Sequence, residues 1–133
     1  MSTIHVAIFD DNKGIRDSLG MLLSTTDGIG LCGCFSDAQD VLAQVAACKP
    51  DVVLMDIDMP GINGIEAVRL LHAERPDLPV MMLTVFGEED RVYDSLRAGA
   101  VGYLLKNNDP NALIAAITEV YHGGAPMSPS IAR

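Results

Sequence analysis

Four short apolar runs in this 133-residue chain each end at a residue able to handle phosphate or a hard cation. IHVAIF runs into Asp10 and Asp11, DVVLM into Asp56, VMML into Thr84, and VGYLL into Lys106. Two like charges about 4 Å apart cost about 4 kcal/mol at an effective dielectric of about 20, so a cluster of aspartates calls for a cation. Oxygen ligands suit Mg²⁺, which takes one or two carboxylates, keeps several waters and shares its remaining positions with phosphate. An aspartate beside that metal can also act as a nucleophile and carry a phosphoryl group as an acyl phosphate. The metal and the Lys106 ammonium would then offset charge on the phosphoryl oxygens, with the Thr84 hydroxyl donating to one of them.

For this chemistry to occur, the fold must bring the four run ends together. Apolar runs of this length between turn signals read as buried strands, here at 4–9, 29–35, 52–55, 80–83 and 101–105. Helical spacing fills the gaps. Asn12 is a candidate N-cap for a helix with Ile15, Leu19, Leu22 and Leu23 on one face, and Ser36 for a helix running through Cys48. Further helices are expected at 65–73, at 87–97 and after Asp109-Pro110, the last burying Leu113, Ile114, Ile117 and Val120. Alternating strands and helices predict an α/β fold with a doubly wound, five-stranded parallel sheet of flavodoxin-like (βα)5 type. In such sheets the ligand crevice lies outside the carboxyl ends of the strands, where all four runs end.

Nine basic against eighteen acidic residues leave a net charge of −9, which argues against this chain itself gripping nucleic acid or an anionic membrane. No uncharged apolar run approaches a membrane span, and MSTIHVAIFDD lacks a basic stretch ahead of its apolar one, so the expected compartment is cytoplasmic. Cys32, Cys34 and Cys48 do not make an even disulfide framework. Cys32 and Cys34 flank Gly33 in a strand, share one face by alternation, and read as buried reduced thiols more readily than as a metal pair.

The stretches VAIFDDN, DVVLMDIDMPGINGIEA, VMMLT and RAGAVGYLLK, in that order, resemble the receiver domain of two-component response regulators over nearly the whole length. That resemblance implies a switch and not a turnover enzyme. By position, Asp56 matches the phosphoacceptor, Asp11 the direct Mg²⁺ ligand, Asp10 its water-mediated partner, and Asp58 the residue lending its backbone carbonyl. Thr84 and Lys106 match the pair that senses and holds the phosphoryl group. Tyr103 falls at the aromatic switch position, expected to turn inward when Thr84 moves. The implied partners are a sensor histidine kinase and, on phosphorylation, a second copy meeting it on the face built by the fourth helix, fifth strand and fifth helix. AGAVGYLLK followed by HGGAPMSPSIAR is similar to the NarL/LuxR-type subfamily, in which a helix-turn-helix domain follows. The expected division is a receiver domain at 1–124 and the start of a linker at 125–133, with DNA bound only through a domain outside these residues. A stand-alone receiver is the alternative.

Three positions depart from the family pattern. Asn107 stands where many receivers have proline, Val85 where a small residue is usual, and Asp58 puts a second carboxylate near the nucleophile. Val85 is expected to narrow access to Asp56. Asp58 opens a rival reading, because DIDMP is similar to the DxDx(T/V) motif of haloacid-dehalogenase-type phosphatases, with Asp58 as acid/base. Met59 and the acidic pair's place ahead of the nucleophile weigh against it. A flavodoxin-like FMN carrier is set aside, since the acidic DDNKGIRDS would repel the FMN phosphate.

Overall fold

Five strands and five helices alternate along the chain in the computed structural model, which describes residues 3–84, 91–106 and 110–125. In order they are β1 (Ile4–Phe9), α1 (Lys13–Ser24), β2 (Ile29–Phe35), α2 (Val41–Cys48), β3 (Val52–Asp56), α3 (Gly64–Glu74), β4 (Val80–Thr84), α4 (Val92–Ala98), β5 (Gly102–Leu105) and α5 (Pro110–Tyr121). All pairings are parallel, in the order β2-β1-β3-β4-β5. The winding reverses between β1 and β3, and a crevice opens at such a switch point. The carboxyl ends of these two strands carry Asp10 and Asp56.

Strand alternation sorts the core into two layers. Val6, Ile8, Leu54, Met81, Leu83 and Leu104 pack with Leu23 of α1 and with Leu113, Ile117 and Val120 of α5. Ala7, Phe9, Val53, Met55, Met82 and Tyr103 pack with Val41 and Val45 of α2, Val68 and Leu71 of α3, and Ala98 of α4. Because the central strands are buried on both faces, they are continuous apolar runs instead of alternating ones.

Helix ends follow local chemistry. Asn12 caps α1, its side chain accepting from Ile15 N at 3.0 Å, and Asn63 caps α3, accepting from Glu66 N at 2.9 Å. Lys49, ahead of Pro50, takes a left-handed φ of 55° and ends α2. The start of α2 differs from the sequence expectation. Ser36 is not its cap. The Asp37 carboxylate instead accepts from Gln39 N at 3.1 Å, a local turn that competes with helix, and α2 begins only at Val41. The described part of α4 begins at Val92, and residues 85–90, including Val85 and Gly87, lie outside the described residues, as do Asn107, Asp109 and positions 126–133 of the expected linker.

The cysteine expectation is also corrected. The pairing of β1 with β2 shifts register between Val6 and Ala7, so that Leu31 faces Val6 while Gly33 faces Ala7. An extra residue in one strand breaks alternation. Leu31 packs on the α1 and α5 layer and Cys32 on the α2 layer, while the Cys34 sulfur lies 3.9 Å from Arg16 O of α1. Cys32 and Cys34 therefore point to opposite faces. Cys32 is disulfide-bonded to Cys48, and Cys34 is exposed.

One glycine sets the distance between the site and α3. Gly64 N donates to Ile57 O at 2.7 Å, and a Cβ at position 64 would collide with the backbone carbonyl of Asp56. Since the clash is with backbone, Gly64→Ala is expected to destabilise the domain by about 1–3 kcal/mol, the usual range for overpacking. It should also displace Asp56. Urea unfolding of the variant checks the first effect, and a Mg²⁺ titration the second.

Candidate functional site

Each strand end delivers one part of a single cluster. Asp10 follows β1 and is fully buried, and its carboxylate accepts from Asn12 N at 2.9 Å. Its backbone carbonyl accepts from Arg16 Nη1 at 2.7 Å, so the first turn of α1 holds both ends of this residue. Asp11 is exposed at the rim. Asp56 ends β3 in register with Leu83, and Thr84 ends β4 in register with Leu105; both are buried. Lys106 follows directly, its backbone N donating to Thr84 O at 2.7 Å.

The Lys106 ammonium reaches back across the crevice to Asp10 Oδ2 at 2.8 Å and Asp56 Oδ1 at 3.0 Å. Asp10, Asp11 and Asp56 each offer an oxygen within 4.8 Å of the others. With one ammonium against three carboxylates, the cluster retains an excess of about two negative charges when fully ionised. Lys106 Nζ is the one contact found for the buried Asp10 Oδ2 among the described residues. A buried oxygen in that position, beside two further carboxylates, is a donor set that fits a hard divalent cation.

Electrostatics follow from this crowding. Burial is the main force driving the Asp56 carboxyl upward. The Lys106 hydrogen bond opposes it, the Asp10 charge adds to it, and the result is a rise from 3.8 to about 7. Burial pulls Lys106 down, but its bonds to Asp10 and Asp56 more than offset that, so the ammonium is held above its ordinary value. Asp56 is thus proton-rich near neutrality without a metal, while Lys106 stays charged.

The remaining candidates fall nearby in different ways. Tyr103 lies fully inside the core, in register with Met82. Asp58 sits on the loop after β3, and its side chain is turned to Arg91 Nη1 at 2.8 Å. Sequence reasoning passed over Arg16 and Arg91. Arg16 stands one turn beyond the Asn12 cap, a spacing that could have flagged it, whereas Arg91 is 33 residues from Asp58 and carried no local signal.

The sequence profile of the response regulator receiver domain matches residues 6–118. The chain belongs to the response regulator receiver domain family. Among curated relatives, the uncharacterized transcriptional regulatory protein YxjL of Bacillus subtilis (strain 168) is 38% identical over 122 residues, covering 92% of this chain and 56% of the relative. The response regulator GacA of Pseudomonas aeruginosa is 36% identical over 130 residues, covering 98% and 61%. This receiver thus spans little more than half the length of the curated relatives it matches. Among solved structures, a LuxR-family two-component response regulator from Aurantimonas sp. SI85-9A1 superposes with a TM-score of 0.91 at 30% identity, covering 98% of this chain and 94% of that one. The response regulator ChrA of a heme-sensing two-component system gives 0.85 at 32% identity, covering 99% and 63%. No helix among the described residues is long and apolar enough to cross a membrane.

Proposed function

We propose that this receiver is a phosphorylation-activated switch in which Asp56 accepts a phosphoryl group from the phosphohistidine of a sensor histidine kinase. The supporting observation is the Lys106 ammonium lodged between Asp10 and Asp56 at 2.8 and 3.0 Å, at the sheet's switch point. Asp56, Asp11 directly, Asp10 through water and the Asp58 carbonyl would hold Mg²⁺, which supplies positive charge to the phosphoryl oxygens when bound. Lys106 pairs with one of those oxygens, and Thr84 donates its hydroxyl to another. Asp56 attacks phosphorus as a carboxylate, so the proton it carries near neutral pH must leave first. Its loss accompanies cation binding.

Phosphorylation turns a singly charged carboxylate into a group of higher negative charge, and movement of Thr84 toward it would be relayed through β4, Tyr103 and α4. The output is homodimerisation and control of a helix-turn-helix transcription domain at the far end of the linker, in the cytoplasm. The names of YxjL and of DegU from Brevibacillus brevis, both transcriptional regulatory proteins, support the transcriptional part of that output. A phosphatase role for Asp58 is disfavoured by its ion pair with Arg91, which turns the carboxylate away from acid/base duty.

The test is incubation with acetyl phosphate and Mg²⁺, followed by intact mass and size-exclusion chromatography. Addition of one phosphoryl group that persists for minutes supports a switch, whereas rapid release of inorganic phosphate without a lasting adduct would point to a phosphatase. Without any phosphodonor, Mg²⁺ at a hundredfold excess over its dissociation constant is expected to stabilise the domain by about 2.7 kcal/mol. Calorimetry near pH 7 should show proton release from Asp56 with that binding.

A further inference from the structure

Outside the acidic crevice, two of the three cysteines meet where β2 departs from regular pairing. The bulge opposite Val6 and Ala7 turns Cys32 toward α2, whose last residue is Cys48, and the two Cα atoms are 5.7 Å apart with the sulfurs bonded. Position 33 is shaped around this pair. A Cβ there would lie 2.8 Å from Cys48 Sγ and 2.7 Å from the Phe35 ring, so glycine makes room for the sulfur. Beyond Cys48 the chain swings away through the left-handed Lys49. Both cysteines border a shallow surface groove with Phe35, Asp40, Gln44 and Ala47, so a small oxidant can reach them. Cys34 is on the other face of the sheet and takes no part.

We propose that Cys32 and Cys48 form a reversible redox modification site, a dithiol that hydrogen peroxide converts to the disulfide. The condition that the bond is reversible rests on the cytoplasmic reading above, because disulfides in reducing compartments are usually transient and redox-sensing. One thiolate attacks a peroxide oxygen, the O–O bond breaks and hydroxide leaves, giving a sulfenic acid. The second sulfur then attacks that sulfur and expels its hydroxyl as water. The two sulfurs give up two electrons to one peroxide, and the thiol protons leave in the two waters formed. The bond ties an edge strand to the helix beside it. It also reaches the acidic pair, since Phe35 O accepts from Asp10 N at 3.0 Å and the Phe35 ring stacks on Phe9 at 4.8 Å.

Alkylation of the wild-type protein under denaturing conditions, before and after peroxide, decides the matter. Three alkylated cysteines after reductant and one after peroxide, mapped to Cys34, are expected, with full return to three after reductant is added back. The oxidised form should melt on the order of 10 °C higher, as a bridge closing a loop of this size does in the chain-entropy picture. Cys32→Ser should remove that shift, and Cys34→Ser should keep it. Three reactive thiols surviving peroxide, or loss of Cys34 with formation of linked dimers, would overturn the proposal. A thiol count is independent of phosphoryl uptake, so failure here and failure of the switch reading are separable.

Discussion

Asp56→Asn is expected to abolish phosphoryl uptake from acetyl phosphate while making the metal-free domain more stable. The loss follows from removing the nucleophilic carboxylate. The gain follows from burial and the Asp10 charge, which lift the Asp56 carboxyl from 3.8 to about 7. A carboxyl with a folded value above its unfolded one binds more protons in the folded state between the two. Stability therefore falls as pH rises from about 4 to about 7, and the full penalty applies above that. At 1.36 kcal/mol per unit the penalty is about 4 kcal/mol at most, the Lys106 bond being already counted in the net rise, and half of that ceiling, about 2 kcal/mol, is the expected gain. Asparagine does not titrate. The melting temperatures of variant and wild type should coincide near pH 4 and separate by roughly 5–10 °C above neutrality. Thermal melts in chelator across that pH range check this; a constant difference at all pH values would show that Asp56 is not the strained group.

Lys106→Ala should act in the opposite direction. Removing the ammonium leaves Asp10 and Asp56 buried without their common counter-charge. Breaking a buried pair from one side typically costs 3–5 kcal/mol, so a loss of about 3 kcal/mol is expected near neutral pH. Lys106 is held above its ordinary value, so its contribution is constant across the acid and neutral range. The pH dependence then comes from Asp56, and the loss should shrink as its carboxyl protonates. Mg²⁺ should repair the defect and bind about tenfold more tightly, because the ammonium no longer repels it. Melts at increasing Mg²⁺, in acid and at neutrality, make the comparison. A loss insensitive to both pH and Mg²⁺ would mean that the lysine stem only fills space. Phosphoryl uptake should survive in this variant, but size-exclusion should show no phosphorylation-dependent change.

Much of this arrangement was legible in the sequence because the information was local. Apolar runs such as IHVAIF and DVVLM are long enough to be strands and too short to be helices, and Asn12 and Asn63 cap helices through their own side chains. The convergence of Asp10, Asp56, Thr84 and Lys106 followed from the rule that a parallel sheet places its strand ends on one edge. What escaped was non-local or a break in periodicity. The β2 bulge moves Cys32 to the other face by one residue, and no composition signal marks it. The delayed start of α2 depended on a competing Asp37 turn, and the Asp58 contact on an arginine 33 residues away.

That last contact has a thermodynamic corollary. Asp58 stands two residues from Asp56, and Arg91 leads directly into α4, so the loop of the site and the helix are joined by one exposed ion pair. Coupling between two binding events is reciprocal, each changing the other's affinity by the same factor. On the proposed reading, a macromolecule that grips α4 and draws Arg91 away would retune cation and phosphoryl affinity at Asp56, just as phosphorylation would retune its grip. Exposed pairs contribute about 0.2–1 kcal/mol, which caps the exchange carried by this one contact near fivefold. A partner docking on α4 would thus also be a modest effector of the proposed chemistry.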